Sequence, residues 1–396
     1  MIKATPARLD MSVQKERIIG AIKGALEGPT LIFVAGIHGN EPAGIFALRE
    51  VLSNLQEHTT TFRGNLYAIS GNLPALAKGI RYDACDLNRL WTDETIEKIN
   101  DSETEEKTAE LLQLKDIYQH ITTILSTERG PFYFYDLHTT SSDSIPFITV
   151  NDSLLNRKYT SQYPLPLILG IEEFLTGALL SYINELGYIA FGFEGGQHEA
   201  TSSIDAHIAF IYLSIVFSGC LEKSAIDFEK HHSYLFHRTQ NLQAFYEIYK
   251  RYEIKPFEVF KMEPGFSNFQ PIKKGIPLAK SNGKPIIATQ RANIFMPLYQ
   301  GKGNDGFFLV RKVPKVFLYI SSVLRKVRFD NLLTLLPGVR WASTKKDELK
   351  VNLKIARFFT KNFFHLLGYR SRTISKTHLM VKNREAASRT SEYHVS

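Results

Sequence analysis

The stretch that most constrains this 396-residue chain is LIFVAGIHGNEPAG, residues 31–44. Its apolar run LIFVA predicts a buried β-strand. The strand would end at a glycine, and a helix would begin near Glu41, because the following proline suits a first helical turn. His38 and Glu41 then lie three residues apart on a tight turn at a strand's carboxyl end, where open α/β sheets bind their ligands.

An imidazole and a carboxylate on one turn are two of the ligands that zinc prefers, although Glu41 could simply serve the first turn of a helix. A third ligand is predicted at His138, which ends the apolar run PFYFYDLH at the same edge of a parallel sheet. Three ligands and an open fourth position are typical of catalytic zinc. Asp136 lies two residues earlier on the same strand face and would accept a hydrogen bond from a zinc-bound histidine. The competing histidines are His198, His207, His231 and His232.

Two further motifs carry side chains suited to a reaction beside a metal ion. The loop RYDACDLNR contains Arg81, Asn88 and Arg89, which can bind an anion or polarise a carbonyl group. Solvated loop arginines are the alternative interpretation. In FGFEGGQ, Glu194 follows an apolar strand and precedes two glycines. A carboxylate there, beside a zinc site, is a natural general base for water, and the alternative is an isolated loop acid.

The remaining patterns predict an α/β fold. Helices are predicted over residues 14–27, 41–54, 102–126, 170–186 and 202–218, and further strands over 64–70, 145–150 and 188–193. Strands that alternate with helices favour a mostly parallel, mixed sheet flanked by helices. The most apolar helical stretch, 208–217, is too short to span a bilayer.

The charge of the chain is unevenly distributed. The net charge is +8, but residues 321–396 hold 16 Lys and Arg against 5 Asp and Glu, so the rest is slightly acidic. Nucleic acid is not the expected partner, and a binding protein that uses this basic stretch on nucleic acid or a membrane is an alternative. The stretch 351–372 is basic and amphipathic, which permits a helix on a membrane surface, although a helix packed on its own protein is favoured. Two cysteines and no apolar leader predict a cytoplasmic protein.

The motifs HGNEP, RYDACDLNR, DLHTT and FEGG, in this order, resemble those of the succinylglutamate desuccinylase/aspartoacylase family, relatives of the zinc carboxypeptidases. The resemblance covers residues 28–310. It implies a zinc carboxypeptidase-like fold in which His38, Glu41 and His138 hold one Zn²⁺ per chain. It also implies a smaller β-rich C-terminal domain that covers the site.

The same resemblance implies a role for each of the other site residues. Arg81 would polarise the scissile carbonyl group, and Asn88 and Arg89 would bind the substrate carboxylate. Glu194 would activate water and then protonate the leaving amine. Tyr299 would reach into the site from the β-rich domain.

The chain is therefore predicted to contain a catalytic domain (1–250), a β-rich domain covering the site (251–320) and a basic C-terminal extension (321–396). The predicted function is zinc-dependent hydrolysis of the amide bond of an N-acyl amino acid or a similar small carboxylated amide. One alternative is a zinc carboxypeptidase acting on peptides, which the covering domain disfavours. Another is a non-catalytic binding protein that uses the basic extension. Homo-oligomerisation stays open.

Overall fold

The computed structural model describes residues 16–101, 108–327, 329–335, 337–356, 364, 367–375 and 378–393. Its strands are β1 (Ile18–Lys23), β2 (Leu26–Ala35), β3 (Arg63–Ser70), β4 (Phe132–Thr140), β5 (Phe147–Val150), β6 (Leu167–Leu169), β7 (Ile189–Gln197), β8 (Phe245–Glu253), β9 (Phe260–Met262), β10 (Pro271–Ile272), β11 (Pro277–Ser281), β12 (Lys284–Ile287), β13 (Ala292–Phe295), β14 (Asp305–Lys312), β15 (Val339–Trp341), β16 (Glu348–Asn352), β17 (Tyr369–Ser375) and β18 (His378–Asn383). Its helices are α1 (Ala43–Leu55), α2 (Leu73–Lys78), α3 (Asp93–Asn100), α4 (Ala109–Thr127), α5 (Leu154–Thr160), α6 (Leu179–Glu185), α7 (Thr201–Phe217), α8 (Phe228–Arg238) and α9 (Lys315–Lys326). Short 3₁₀ turns lie at Gln56–His58, Leu87–Arg89, Ile171–Glu173, Lys223–Ala225, Phe329–Leu335 and Thr390–Glu392.

Eleven of the described strands form one sheet in the order β1-β3-β2-β4-β7-β5-β6-β8-β14-β13-β10. Strand β2 is parallel to β3 and β4, and β4 is parallel to β7. The carboxyl ends of β2, β4 and β7 therefore meet at one edge of the sheet. Strands β1 and β5 are antiparallel to their neighbours β3 and β7, so the sheet is mixed. The predicted mostly parallel, mixed α/β fold is confirmed.

Helices cover both faces of this sheet. Residues of α1 and α7, such as Leu48 and Phe210, pack with one face in a single apolar core. Residues of α3, α4 and α6, such as Ile96, Leu114 and Ile183, pack on the other face. All nine residues of β4 are buried, as expected for a parallel strand covered on both faces.

The predicted helix over 14–27 is wrong, and the one over 170–186 is wrong in part. Within 14–27, residues 14 and 15 lie outside the described part, residues 18–23 form β1 and residues 26 and 27 begin β2. Pairing of β1 with β3 buries Ile22 in the core, which outweighs the helical spacing of the apolar residues. Within 170–186, the chain breaks at Gly177, whose φ is +73°, and the helix α6 begins only at residue 179. The predicted helix 102–126 begins at 109 in the described residues, and 102–107 lie outside them.

The C-terminal part of the chain is rich in strands. The predicted domain boundary at 250/251 lies inside β8, and β14, β13 and β10 continue the central sheet from it. Strands β12, β11 and β9 form a separate antiparallel sheet. After α9, strands β15, β16, β18 and β17 form a four-stranded sheet with its own apolar core. The division into three domains stays a prediction.

The expectation of an amphipathic helix over 351–372 is wrong for most of its described residues. Residues 351–352 belong to β16 and 369–372 to β17, whereas 357–363, 365 and 366 lie outside the described part. Across the described residues, none of the helices combines the length and the apolar character that crossing a membrane requires.

Candidate active site and metal centre

Three buried side chains meet at the carboxyl ends of β2 and β4. His38 lies on the turn after β2, Glu41 lies two residues before α1, and His138 lies near the end of β4. Because β2 and β4 pair in parallel, the turn after β2 lies beside the end of β4. One ligand atom from each of these three residues, called the triad below, lies within 4.8 Å of the others. Among the described residues this is the one group of three His, Cys, Asp or Glu side chains suited to a metal ion.

The triad has the same arrangement around each histidine. The Nδ1 atoms of His38 and His138 each lie 2.9 Å from one carboxylate oxygen of Glu41. The Nε2 atom of His38 lies 3.0 Å from Asp86, and that of His138 lies 2.8 Å from Asp136. Each ring is therefore held between Glu41 and a second carboxylate.

This donor set fits a divalent metal ion. A carboxylate beside Nε2 fixes the proton on that nitrogen, so the lone pair of a neutral ring is on Nδ1. Both Nδ1 atoms then direct lone pairs towards the lone pairs of Glu41, which is unfavourable unless protons or a cation lie between them. Two imidazoles and one carboxylate are ligands typical of zinc. The buried His-Glu-His triad is consistent with a single metal site.

The pKa values of Glu41 and His138 are shifted by the close contacts between the carboxylates and the imidazole rings. Burial raises the pKa of Glu41, but the charges and hydrogen bonds of His38 and His138 outweigh it and hold that pKa well below its ordinary range. Burial lowers the pKa of His138, yet Asp136 and Glu41 outweigh this effect and raise it well above 6.5. The negative environment that favours a protonated histidine also favours a metal cation.

Arg81 and Asp86 contact the triad from the loop between α2 and α3. Arg81 donates from Nη1 to Glu41 at 3.3 Å and from Nη2 to Asp86 at 3.1 Å, while its Nε has no acceptor among the described residues. The sequence analysis did not single out Asp86. Asp86 lies inside the motif RYDACDLNR, which the sequence analysis had singled out. It binds His38 as Asp136 binds His138, and this parallel could have identified it.

Asn88 and Arg89 line the same cavity, but they differ in how far their side chains are free to bind a ligand. The Asn88 side-chain amide donates to Asp136 at 3.4 Å, and its carbonyl oxygen accepts from the Leu179 backbone N–H at 2.9 Å. Arg89 donates to the Asn88 backbone oxygen, and its Nη2 lies 3.6 Å from Asp305 on β14. The Arg89 side chain retains 30% exposure, so its guanidinium can still meet a ligand.

Glu194 pairs in register with His138, because β7 and β4 are parallel neighbours. It is 6% exposed and lines the cavity, and its Oε2 contacts no hydrogen-bond donor among the described residues. Burial, which outweighs attraction to His138, and repulsion from Glu41 raise the pKa of Glu194 to about 8. A buried carboxyl group with a pKa near neutrality can both take up and release a proton.

Tyr299 is not brought into the site. Its hydroxyl donates to the Glu263 backbone oxygen at 2.8 Å and accepts from the Phe266 backbone N–H at 2.9 Å. These bonds hold the ring on a neighbouring turn, and Tyr299 is absent from the described cavity lining. The adjacent Gln300 lines the cavity instead, and its Oε1 lies 3.4 Å from Nε2 of His198.

His198 also lines the cavity, where its Nδ1 lies 2.7 Å from the hydroxyl of Thr139. The other competing histidines lie on helices. His207 on α7 is fully buried and bonds the Ser203 backbone oxygen, and His231 and His232 lie on α8.

Comparisons with known proteins agree with this site. Residues 27–208 match the model of the succinylglutamate desuccinylase/aspartoacylase catalytic domain. A succinylglutamate desuccinylase of Photorhabdus laumondii is 45% identical over 62 residues, which are 16% of this chain and 19% of that protein. The one of Pseudomonas syringae pv. tomato is 25% identical over 313 residues, 73% of this chain and 88% of that protein. The match to one from Serratia proteamaculans spans 33% of its length, so the chain aligns with a fifth to a third of the first curated relatives.

Solved structures show the same fold. A succinylglutamate desuccinylase/aspartoacylase from Rhodobacter sphaeroides superposes with a TM-score of 0.53 at 15% identity, covering 74% of this chain and 88% of that one. The ectoine utilization protein EutE from Ruegeria pomeroyi gives a TM-score of 0.52 at 18% identity over the same shares. The predicted resemblance is thus confirmed. The match assigns residues 27–208 of this chain to the catalytic domain of the succinylglutamate desuccinylase/aspartoacylase family.

Proposed function

We propose that this protein is a zinc-dependent hydrolase that cleaves the amide bond of an N-acyl amino acid or a similar small carboxylated amide. One observation carries the proposal: His38 and His138 present Nδ1 atoms to the same carboxylate, Glu41, while each Nε2 is held by an aspartate. This arrangement leaves ligand atoms of three side chains facing one point in a cavity. A zinc ion bound there would supply a Lewis acid for the scissile carbonyl oxygen and lower the pKa of water.

The protein's own residues account for the rest of the reaction. Glu194 takes a proton from the attacking water and gives it to the leaving nitrogen, since an amine leaves poorly unless it is protonated. Arg81 stabilises the negative charge that develops on the carbonyl oxygen. Arg89 binds the substrate carboxylate with its partly exposed guanidinium, and Asn88 holds Asp136 behind His138.

The surroundings of the cavity favour a small substrate over a peptide. Gln300 and Asp305, which both follow β8, line the cavity together with the triad. A chain segment over the site restricts the space for a long polypeptide. We also expect the protein to work in a reducing compartment such as the cytoplasm, because Cys85 and Cys220 are both free.

A hydrolysis screen with zinc-loaded protein tests the proposal. We expect turnover of N-acyl amino acids with a free carboxylate and about one zinc per chain by elemental analysis. His138→Ala should lose both zinc and turnover, whereas His237→Ala, on the exposed side of α8, should keep both. Cleavage of peptides without cleavage of N-acyl amino acids would identify a carboxypeptidase instead. Full zinc content in His138→Ala would remove this residue from the metal site.

A further inference from the structure

The cavity that contains the triad extends to Glu172, a carboxylate that no step of the proposed reaction uses. A cavity of about 160 Å³ is lined by the triad, Arg89 and Glu194, and also by Asn151, Ser181 and Glu172. Asn151 donates to the Ser181 hydroxyl at 3.3 Å, and the backbone N–H of Asp152 lies 3.4 Å from Glu172. These contacts place the three residues together in one polar part of the cavity wall.

Glu172 is buried and half satisfied. It belongs to the 3₁₀ turn Ile171–Glu173 and is 3% exposed. Its Oε1 accepts from Nε of Arg384 at 2.7 Å, whereas its Oε2 meets no hydrogen-bond donor among the described residues. A buried carboxylate oxygen without a donor costs free energy, so such a group in a folded protein calls for a missing partner.

Among the described residues, no side chain or backbone N–H donates to Oε2 of Glu172. Glu172 belongs to a group of buried charges between the catalytic domain and the C-terminal region, called the seam cluster below. Its members are Asp152, Glu172, Glu173, Glu385, Arg157, Arg325 and Arg384. Arg384 is divided between Glu172 and Glu173. Glu172 therefore shares the guanidinium that it binds with a second carboxylate.

A positively charged group of a substrate would reach Glu172 from the cavity that holds the triad. Glu172 also lines a smaller cavity of about 50 Å³, but Arg370, Lys382 and Arg384 line that cavity too, and their charges repel a cation. Glu173 borders neither cavity in the described residues, although it binds the same arginine. Only one of the two neighbouring carboxylates is therefore placed to meet a substrate.

We infer that Glu172 is a specificity-determining residue that binds a cationic, hydrogen-donating group of the substrate, an ammonium above all, other than the carboxylate that Arg89 binds. This inference rests on the proposed function and names its substrate class: N-acyl amino acids that carry an amine as well as a carboxylate. Three ammonium protons suit the acceptors Glu172, Asn151 and Ser181. The C-terminal region takes part in recognition because its Arg384 holds Glu172 in place.

The test compares matched substrates with wild type, Glu172→Gln and Glu173→Gln. One pair is N-acetyl-lysine and its isostere with a methyl in place of the ammonium, and the other is 6-aminohexanoyl-alanine and heptanoyl-alanine. Together the pairs place the ammonium on the amino-acid side or on the acyl side. For wild type we expect kcat/KM to favour the ammonium member of at least one pair about ten- to hundredfold, as for a hydrogen bond to a charged group. Glu172→Gln should bring this ratio near one, whereas Glu173→Gln, which removes a carboxylate from the same arginine, should preserve it.

Calorimetric binding of lysine, 6-aminohexanoate and their methyl isosteres separates this inference from the proposed function. A wild-type preference for the amines that Glu172→Gln loses supports the inference even if no amide is cleaved, in which case only the proposed function fails. Wild type that treats ammonium and methyl members alike, in turnover and in binding, overturns the inference whether or not Glu172→Gln folds. Equal loss of preference in both variants also overturns it, because the carboxylates would then act only through Arg384.

Discussion

The triad with its neighbours and the seam cluster are both buried groups of acids and bases, but their hydrogen bonds are completed to different degrees. Around the triad, polar atoms of Arg81, Asp136 and Glu194 have no partner among the described residues. In the seam cluster, Arg325 reaches the Asp152 backbone and side chain at 2.7 and 2.9 Å and Glu385 at 3.1 Å. The first group keeps donors and acceptors for a ligand, and the second uses nearly all of its own to join two parts of the chain.

The degree to which a buried polar group is hydrogen-bonded distinguishes groups that serve function from groups that serve stability. Unpaired buried polar groups and strongly shifted pKa values concentrate where a protein does chemistry. Saturated ion pairs between distant segments instead fix one arrangement of the chain, and removing one partner leaves a buried charge uncompensated. Glu172 is the exception within the seam cluster. Its Oε2 has no hydrogen-bond partner among the described residues, as is also true of polar atoms around the triad.

The largest effect is expected for Glu194→Gln, which tests whether the residues around the triad serve function and not stability. The change keeps the shape of the side chain but removes the proposed proton shuttle, so turnover should fall by about 10²–10⁴-fold. Because Glu194 is outside the triad, zinc content and the thermal unfolding midpoint should stay near wild type. The matched control is Glu199→Gln, an exposed acid five residues later, which should leave turnover unchanged. Retained turnover in Glu194→Gln would assign the shuttle elsewhere, and lost zinc would make Glu194 a ligand.

The opposite outcome is expected for Arg325→Met in the seam cluster. The Arg325 side chain is fully buried, so its loss leaves Asp152 and Glu385 short of a partner and should lower the free energy of unfolding by about 3–5 kcal/mol. Turnover per folded molecule should change little. Arg311→Met breaks an exposed pair with Glu247 and should cost at most about 1 kcal/mol. Equal effects in urea unfolding of the two variants would contradict the structural role of the seam.

The triad could be predicted from sequence because its information is local. Two ligands share one five-residue motif, and the third follows from the rule that parallel strands end at a common edge. Asp136 followed from the alternation of side chains along a strand, and its 2.8 Å contact with His138 matches that expectation. Each of these predictions required only that a strand, the direction of the strand and the turn after it be recognised in the sequence.

The seam cluster could not be predicted, because its pairs join residues far apart in sequence. Arg325 and Asp152 are 173 residues apart, and Arg384 and Glu172 are 212 apart. The sequence pattern of one segment does not indicate that it contacts the other. The basic C-terminal region was therefore predicted to be a separate extension. The same limit explains Tyr299, whose direction depends on hydrogen bonds to a turn more than 30 residues away.

Arg89 provides an intermediate test, since it lines the cavity and also lies near Asp305. A hydrogen bond to a charged group is typically worth about 1.5–3 kcal/mol, so Arg89→Ala should lower kcat/KM for carboxylated substrates by roughly one to two powers of ten. Substrates with an amidated carboxylate should be poor for wild type and should not distinguish the two proteins. Equal hydrolysis of neutral and carboxylated amides by wild type would show that Arg89 does not bind the carboxylate.

The smallest expected effect is a pH dependence that belongs to the seam cluster. Burial raises the pKa of Asp152, but Arg157 and Arg325 outweigh it and hold that pKa far below its ordinary range. A carboxylate whose pKa is lower in the folded state stabilises the protein above its unfolded pKa, about 3.9, and this stabilisation is lost as the pH falls further. Asp152→Asn should therefore lower the unfolding midpoint at pH 7 and lower it less at pH 3. The exposed Glu199→Gln should match wild type throughout, and a gap between Asp152→Asn and wild type that stays constant from pH 7 to pH 3 would show that Asp152 does not contribute through its charge.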